Sequence, residues 1–174
     1  MISLPFQKKI QHQDQRVAVL IDVQNMYHSA KHLFRARVNF QEVLKEAVSS
    51  RRLVRAIGYV VESETEEEKS FFEALLKLGI ELRSKDLQVF YGGLKKADWD
   101  VGITLDAVNL AESVDVIVLI SGDGDFLPLI EYLKNRGKLV EVIAFGKSAS
   151  GRLQQKAHNF IDLGSDPRRF ILRK

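Results

Sequence analysis

The sequence predicts an α/β fold: a Rossmann-like open, mostly parallel sheet with helices on both faces. Three observations lead there. Continuous apolar, β-branched runs such as RVAVLIDV at 16–23 and VDVIVLI at 114–120 lack the alternation of a half-exposed strand, so both faces are expected to be buried. Segments with apolar residues at helical spacing lie between these runs, the order of a parallel sheet with crossover helices. Two of the runs end in acids: Asp22 near the close of the first, and Ser121-Gly122-Asp123-Gly124-Asp125 straight after the second. In open α/β sheets that carboxyl edge is where ligands bind.

Residues 1–15 read as a loosely docked extension. The strand at 16–23 leads into a helix through Met26, Ala30, Leu33 and Phe34, with Asn25 as its N-cap or as a neutral ligand beside Asp22. Asn39 and Glu42 form a capping box for a second helix whose stripe is Phe40, Val43, Leu44, Ala47 and Val48. LVRAIGYVV at 53–61 is the next strand. Thr65 and Glu68 open a third helix, whose acidic first turn suits the positive end of the helix dipole and which Gly79 closes. A short strand at 80–82, then another strand or edge hairpin at 87–91, precede the Gly92-Gly93 junction.

A helix from Asp98 or Trp99 to Glu112 packs Ile103, Ala107 and Leu110, with Asp98 placed as N-cap. Asp100 continues the Ile103–Ala107 stripe and so points to the sheet edge, whereas Asp106 falls about 120° away and only flanks it. After the 114–120 strand, a helix from Phe126 to Asn135 tolerates Pro128 in its first turn and is closed by Gly137. A strand at 139–145, a short polar helix at 148–157 and a strand at 159–163 complete the pattern.

Composition narrows the function classes. At 174 residues, with 45% hydrophobic and 28% charged residues, the chain suits one domain with a full core. It has no cysteine, which excludes disulfides and thiolate metal sites and is compatible with a reducing cytoplasm. The polar N-terminus lacks a signal-peptide core and no apolar run nears the roughly 20 residues of a membrane span, so a soluble cytoplasmic protein is expected. Net charge is only +3, but it is unevenly spread. Acids crowd between Glu62 and Glu68, while Lys147, Arg152, Lys156, Arg168, Arg169, Arg173 and Lys174 make the last part basic. Basic residues near an acidic site attract phosphates to it.

If the first strand lies beside the 114–120 strand, Asp22, Asp100, Asp123 and Asp125 converge. Like charges so close repel unless a cation, a proton or solvent relieves them, and a helix cap would need only one acid of the 123–125 pair. A cluster of hard oxygen ligands without His or Cys selects Mg²⁺ or Mn²⁺. Such an ion suits phosphoryl chemistry: it activates water and stabilises charge on a phosphodiester. Ser121 and Asn25 can orient the water or a phosphate, and Lys95 or Lys96 can contact a nucleic-acid backbone. Other chemistries find no support. There is no Cys nucleophile, G-x-S-x-G elbow, phosphate-binding P-loop or dinucleotide fingerprint, and His28 and His32 lack the intervening Glu of a metalloprotease helix.

The stretches Val19–Asn25, Lys96–Asp106 and Ser121–Phe126, with Gly137–Val142 and Leu153–Leu163, together resemble the NYN domain family, specifically its LabA-like branch. The resemblance covers roughly residues 16–164, leaving 1–15 as an N-terminal extension and 165–174 as a basic C-terminal tail. That family is similar to PIN and FLAP nucleases, and the likeness implies a divalent-metal-dependent ribonuclease acting on RNA. By position Asp22, Asp100, Asp123 and Asp125 match its metal-binding acids, and Asn25, Asp106 and Ser121 its supporting polar residues. Asp98 offers a second acid beside Asp100 and can share or replace its role. Lys95, Lys96, Lys147 and Arg152 are the candidate substrate-binding cations, and the edge strand makes a homodimer conceivable. The competing expectations are a non-catalytic regulatory or scaffold protein with a nuclease-like fold and a phosphatase or phosphotransferase for small phosphorylated metabolites.

Overall fold

The computed structural model describes residues 11–62, 65–86, 88–89, 91–92 and 95–172. The chain begins with β1 (Arg16–Asp22), α1 (Val23–Phe34), β2 (Arg37–Val38), α2 (Phe40–Val48) and β3 (Arg52–Glu62). Next come α3 (Glu66–Lys77), β4 (Glu81–Asp86), a hairpin of β5 (Gln88–Val89) and β6 (Lys95–Lys96), and α4 (Asp100–Leu110). The rest is β7 (Val116–Ile120), a 3₁₀ turn at Gly124–Phe126, α5 (Leu127–Asn135), β8 (Leu139–Ala144), α6 (Gly151–Lys156), β9 (Asn159–Asp162), α7 (Pro167–Phe170) and β10 (Ile171–Leu172).

Six strands form one sheet in the order β4-β3-β1-β7-β8-β9, and every neighbouring pair is parallel. The chain builds outward from β1 to β3 and β4, then crosses back to lay β7 on the other flank of β1 and builds outward again. The direction of winding therefore reverses between β1 and β7, which opens a crevice at their carboxyl ends. Alternation along the strands divides the core into two layers. Val17, Val19, Ile21, Val116, Val118 and Ile120 meet Met26, Ala30, Val43, Ala47 and Leu75 of α1, α2 and α3. Ala18, Leu20, Ile117 and Leu119 meet Ile103, Ala107, Ile130, Leu133 and Leu153 of α4, α5 and α6 on the opposite face. The expected two-faced α/β sheet is the observed one.

Several local expectations change. β4 continues to Asp86 rather than stopping near residue 82, because backbone pairing with β3 carries it across polar residues that periodicity reads as loop. Of the extension at 1–15, residues 1–10 lie outside the described residues; Gln11 donates to Glu141 and His12–Gln15 form a turn. The stretch read as a basic tail is packed where it is described. Arg169 pairs with Glu42 at 2.9 Å and Glu46 at 2.7 Å on α2, Phe170 is buried, and β10 pairs antiparallel with β2. Strands of two residues leave no periodic trace in a sequence, and the acids that match Arg169 lie more than a hundred residues away.

One feature of the core has no sequence signature. Glu141, on the apolar strand β8, is almost completely buried against Arg51, which follows α2. The guanidinium grips both carboxylate oxygens at 3.1 and 2.8 Å and also donates to the carbonyls of Ala47 and Val48. Removing one partner from such a pair leaves an uncompensated buried charge. Glu141→Ala is therefore expected to cost about 3–5 kcal/mol in urea unfolding, whereas the double variant Arg51→Met/Glu141→Leu recovers most of that loss.

Candidate metal centre

The crevice between β1 and β7 is where the acids meet. Ile21 and Ile120 are in register, so Asp22 and Ser121 leave the sheet side by side. Asp22 is only 9% exposed. Its Oδ1 accepts from the backbone N–H of Asn25 at 3.1 Å, and its Oδ2 accepts from the buried Ser121 hydroxyl at 3.0 Å. Asp22, not Asn25, is thus the cap of α1. The Asn25 side chain is left to bind the other segment, its Oδ1 accepting from the N–H of Gly122 at 3.0 Å. The Ser121 oxygen also accepts from the N–H of Asp123 at 3.2 Å. Three side chains and two backbone segments are thereby knitted together.

The loop after β7 is shaped by close approach. A Cβ on Gly122 would sit 3.0 Å from the backbone of Ala149, and the Gly122 carbonyl accepts from Ser150 N–H at 2.9 Å, just before α6. Asp123 accepts from the N–H of Asp125 at 2.9 Å and caps the 3₁₀ turn. One acid of the pair does the capping, and Asp125 remains exposed.

The third carboxylate arrives on α4. Asp98 does not cap this helix; Trp99 occupies the cap position and no side chain bonds there. The turn is pinned instead by the Trp99 indole, whose N–H donates to the Val60 carbonyl at 2.8 Å and whose ring meets that of Tyr59 at 5.4 Å. Lys85 stacks over the indole at 4.5 Å and donates to the carbonyl of Asp98. Gly102 is required beneath the ring, since a Cβ there would come within 2.6 Å of it. This clamp leaves one trace in the amino-acid order, a glycine three residues after the only tryptophan.

Asp100, Asp123 and Asp125 each offer a carboxylate oxygen within 4.8 Å of the other two. Octahedral Mg²⁺ at about 2.1 Å holds its ligand oxygens roughly 3–4 Å apart, so the three need draw in only slightly to share an ion. Burial pushes the Asp100 carboxyl up to about 6, with the charges of Asp123, Asp98, Asp22 and Asp125 adding to the effect. Burial likewise raises Asp22, against the opposing hydrogen bonds from Asn25 and Ser121. An oxygen-only set with repelling charges fits a hard dication and no thiophilic metal.

The remaining sequence candidates are scattered. Asp98 lies beside the cluster and acts on Asp22 and Asp100 through its charge, outside the group of three. Asp106 accepts from the Tyr59 hydroxyl at 2.7 Å and pairs with Arg83 at 2.8 Å, fastening α4 to β3 and β4. Lys147 and Arg152 are exposed on either side of the Ala149–Ser150 segment that touches the acidic loop. Lys95 and Lys96 form β6, and their side chains lie outside the described residues.

Comparison with known proteins identifies the family and the fold. The model of the NYN domain matches residues 16–164. The low amplitude and bright protein LabA of Synechococcus elongatus is 30% identical over 167 residues, covering 90% of this chain and 87% of that protein. An uncharacterized protein of Methanocaldococcus jannaschii is 30% identical over 155 residues, and the match spans 88% of this chain but 57% of that longer protein. A crystal structure of a protein of unknown function from Vibrio parahaemolyticus superposes with a TM-score of 0.85 at 33% identity, covering 96% of this chain and all of that one.

The raised Asp100 carboxyl makes stability pH-dependent in the metal-free protein. Its folded value of about 6 exceeds the ordinary 3.8, so its favourable contribution is complete below about pH 4 and is lost as pH rises through 6. Asp100→Asn, which does not titrate, is expected to be more stable than wild type at pH 8, by about 1 kcal/mol after allowing for partial solvation, and no more stable at pH 4. Thermal melts in chelator at the two pH values check it.

Proposed function

This chain belongs to the NYN domain family, and from that premise we propose that it is a divalent-metal-dependent ribonuclease hydrolysing RNA phosphodiester bonds at the carboxyl edge of its sheet. The observation that carries the proposal is the meeting of Asp100, Asp123 and Asp125, from two separate stretches of chain, within 4.8 Å at the point where the sheet reverses its winding. These three hold the ion, Mg²⁺ or Mn²⁺, and Asp22 backs them from beneath. Bound there, the dication supplies a more acidic water and a counter-charge for the phosphodiester.

The chain's own groups do the positioning. Asp22, Ser121 and Asn25 lock β1 to the β7 loop, so that Asp123 and Asp125 stay aimed at one point. The Trp99–Lys85 clamp keeps Asp100 facing them, and Asp98 adds negative charge from the side. Lys147 and Arg152 draw the phosphate backbone toward an edge that would otherwise repel it, a role for which the sequence also offers Lys95 and Lys96. The enzyme works in the cytoplasm, where its lack of cysteine suits a reducing milieu, and its edge strands leave room for a homodimer.

The experiment is cleavage of mixed RNA by purified protein with Mn²⁺ or Mg²⁺, beside Asp123→Asn. Wild type is expected to cleave, and the variant to lose about 100-fold or more in rate while keeping its fold. Equal cleavage by both would point to a contaminant. Intact RNA with every ion would favour a regulatory or scaffold role on a nuclease-like frame.

A further inference from the structure

A groove of about 870 Å³ runs along the outer side of α1, away from the acidic edge. Tyr27, Lys31 and Arg35 recur every fourth residue and so form one stripe of its wall. By helical rise the stripe is about 12 Å long, and it begins five residues after the Asp22 cap. Arg37 on β2 and the exposed Leu172 on β10 continue the lining, and Glu67 on α3 is the single acid set against three cations.

Two features mark this groove as more than ordinary surface. Among the described residues, none of Lys31, Arg35 and Arg37 forms an ion pair, whereas Arg16, Arg51, Arg55, Arg83 and Arg169 all do. The positive charge is unspent. In addition, Arg35 closes α1 in the left-handed region at φ 52°, where glycine or asparagine is the economical choice. Among the described residues, its side chain makes no hydrogen bond or ion pair that would favour arginine there over glycine. The conformation itself caps α1, the Arg35 N–H donating to the Lys31 carbonyl at 3.0 Å, but an arginine kept where glycine would make the same turn without strain points to a role for its side chain. Tyr27, 44% exposed with the Lys31 ammonium 5.6 Å from its ring, supplies a flat aromatic face beside the cations.

We propose that this groove is a track for single-stranded RNA, with Lys31, Arg35 and Arg37 on successive phosphates and Tyr27 stacking on a base. The inference rests on the ribonuclease reading for its choice of ligand and extends it by assigning where the strand runs outside the acid cluster. Cationic grooves with aromatic platforms bind single strands in this way without reading sequence. A duplex is too broad and rigid to lay its bases on one tyrosine, so the unpaired strand is the occupant favoured.

The test is fluorescence anisotropy with a labelled single-stranded RNA of about 12 nucleotides, in chelator so that nothing is cut. Lys31→Ala/Arg35→Ala/Arg37→Ala is expected to bind about tenfold or more weakly at ordinary salt, with a slope of log affinity against log salt shallower by about 2. Tyr27→Ala weakens binding about tenfold with the slope unchanged. Arg35→Gly separates binding from folding: it is expected to raise the melting temperature by about 2–4 °C while lowering RNA affinity. Arg136→Ala, on the opposite face of the sheet, serves as the control and leaves binding as it was.

Wild-type affinity and slope in the triple variant would overturn the proposal. So would tighter binding of poly-glutamate than of RNA, which would make an acidic polypeptide the occupant. The two readings fail separately. RNA held by these residues but never cut with any ion leaves the groove standing and removes the nuclease. Asp123-dependent cleavage with undiminished binding in the triple variant does the reverse.

Discussion

Holding carboxylates of like charge within a few ångströms of one another opposes folding, and the rest of this molecule is arranged so that the opposition is met. At the 4.8 Å that bounds the Asp100–Asp123–Asp125 group, one pair of full charges repels by about 1 kcal/mol in bulk water and about 3 kcal/mol at an effective dielectric near 20. Burial, with that field added to it, pushes the Asp100 carboxyl up to about 6. The counterweight is a buried lattice beneath the acids: Ser121 bridges Asp22 to the Asp123 backbone, and Asn25 bridges α1 to Gly122. On the α4 side the Trp99 indole and Lys85 have the same task. Each tie is a hydrogen bond or a stacking contact worth about 1 kcal/mol, and together they oppose the repulsion among the acids.

The sheet's topology explains why the site forms at this place. Because β7 returns to the flank of β1, two segments almost a hundred residues apart end level with each other and expose their next residues into one crevice. The apolar β-branched runs fix that register from both sides, with one core layer on each face. Burial of the strands, in other words, is what aims the polar residues at their tips. The same logic accounts for Gly122: the loop passes so close to Ala149 that a Cβ there would press within 3.0 Å of its backbone.

Much of this was legible in the amino-acid order. Acids at the tips of doubly buried strands stand out because the residues just before them are uniformly apolar, so Asp22 and the 123–125 pair could be placed at the sheet edge from spacing alone. Asp100 followed from its position on the Ile103–Ala107 stripe. The capping roles were harder, since Asp, Asn and Ser are interchangeable as caps in composition and only geometry decides. Asp22 took the part expected of Asn25, and Trp99 stood where Asp98 was expected. Long-range pairs left no trace at all: Arg51 with Glu141 and Arg169 with Glu42 join residues whose separation in sequence carries no periodicity. Two-residue strands such as β2 and β10 are silent for the same reason.

What the whole arrangement turns on is whether the three carboxylates bind one ion as a unit. Titration of the metal-free protein with Mn²⁺, followed calorimetrically and by the electron spin resonance of the bound ion, addresses this without any assumption about substrate. One site per chain is expected in wild type, with affinity lowered about 10–100-fold when Asp100, Asp123 or Asp125 is changed singly to Asn. Wild-type Mn²⁺ affinity in all three variants, or no saturable binding in the unaltered protein, would contradict the metal centre.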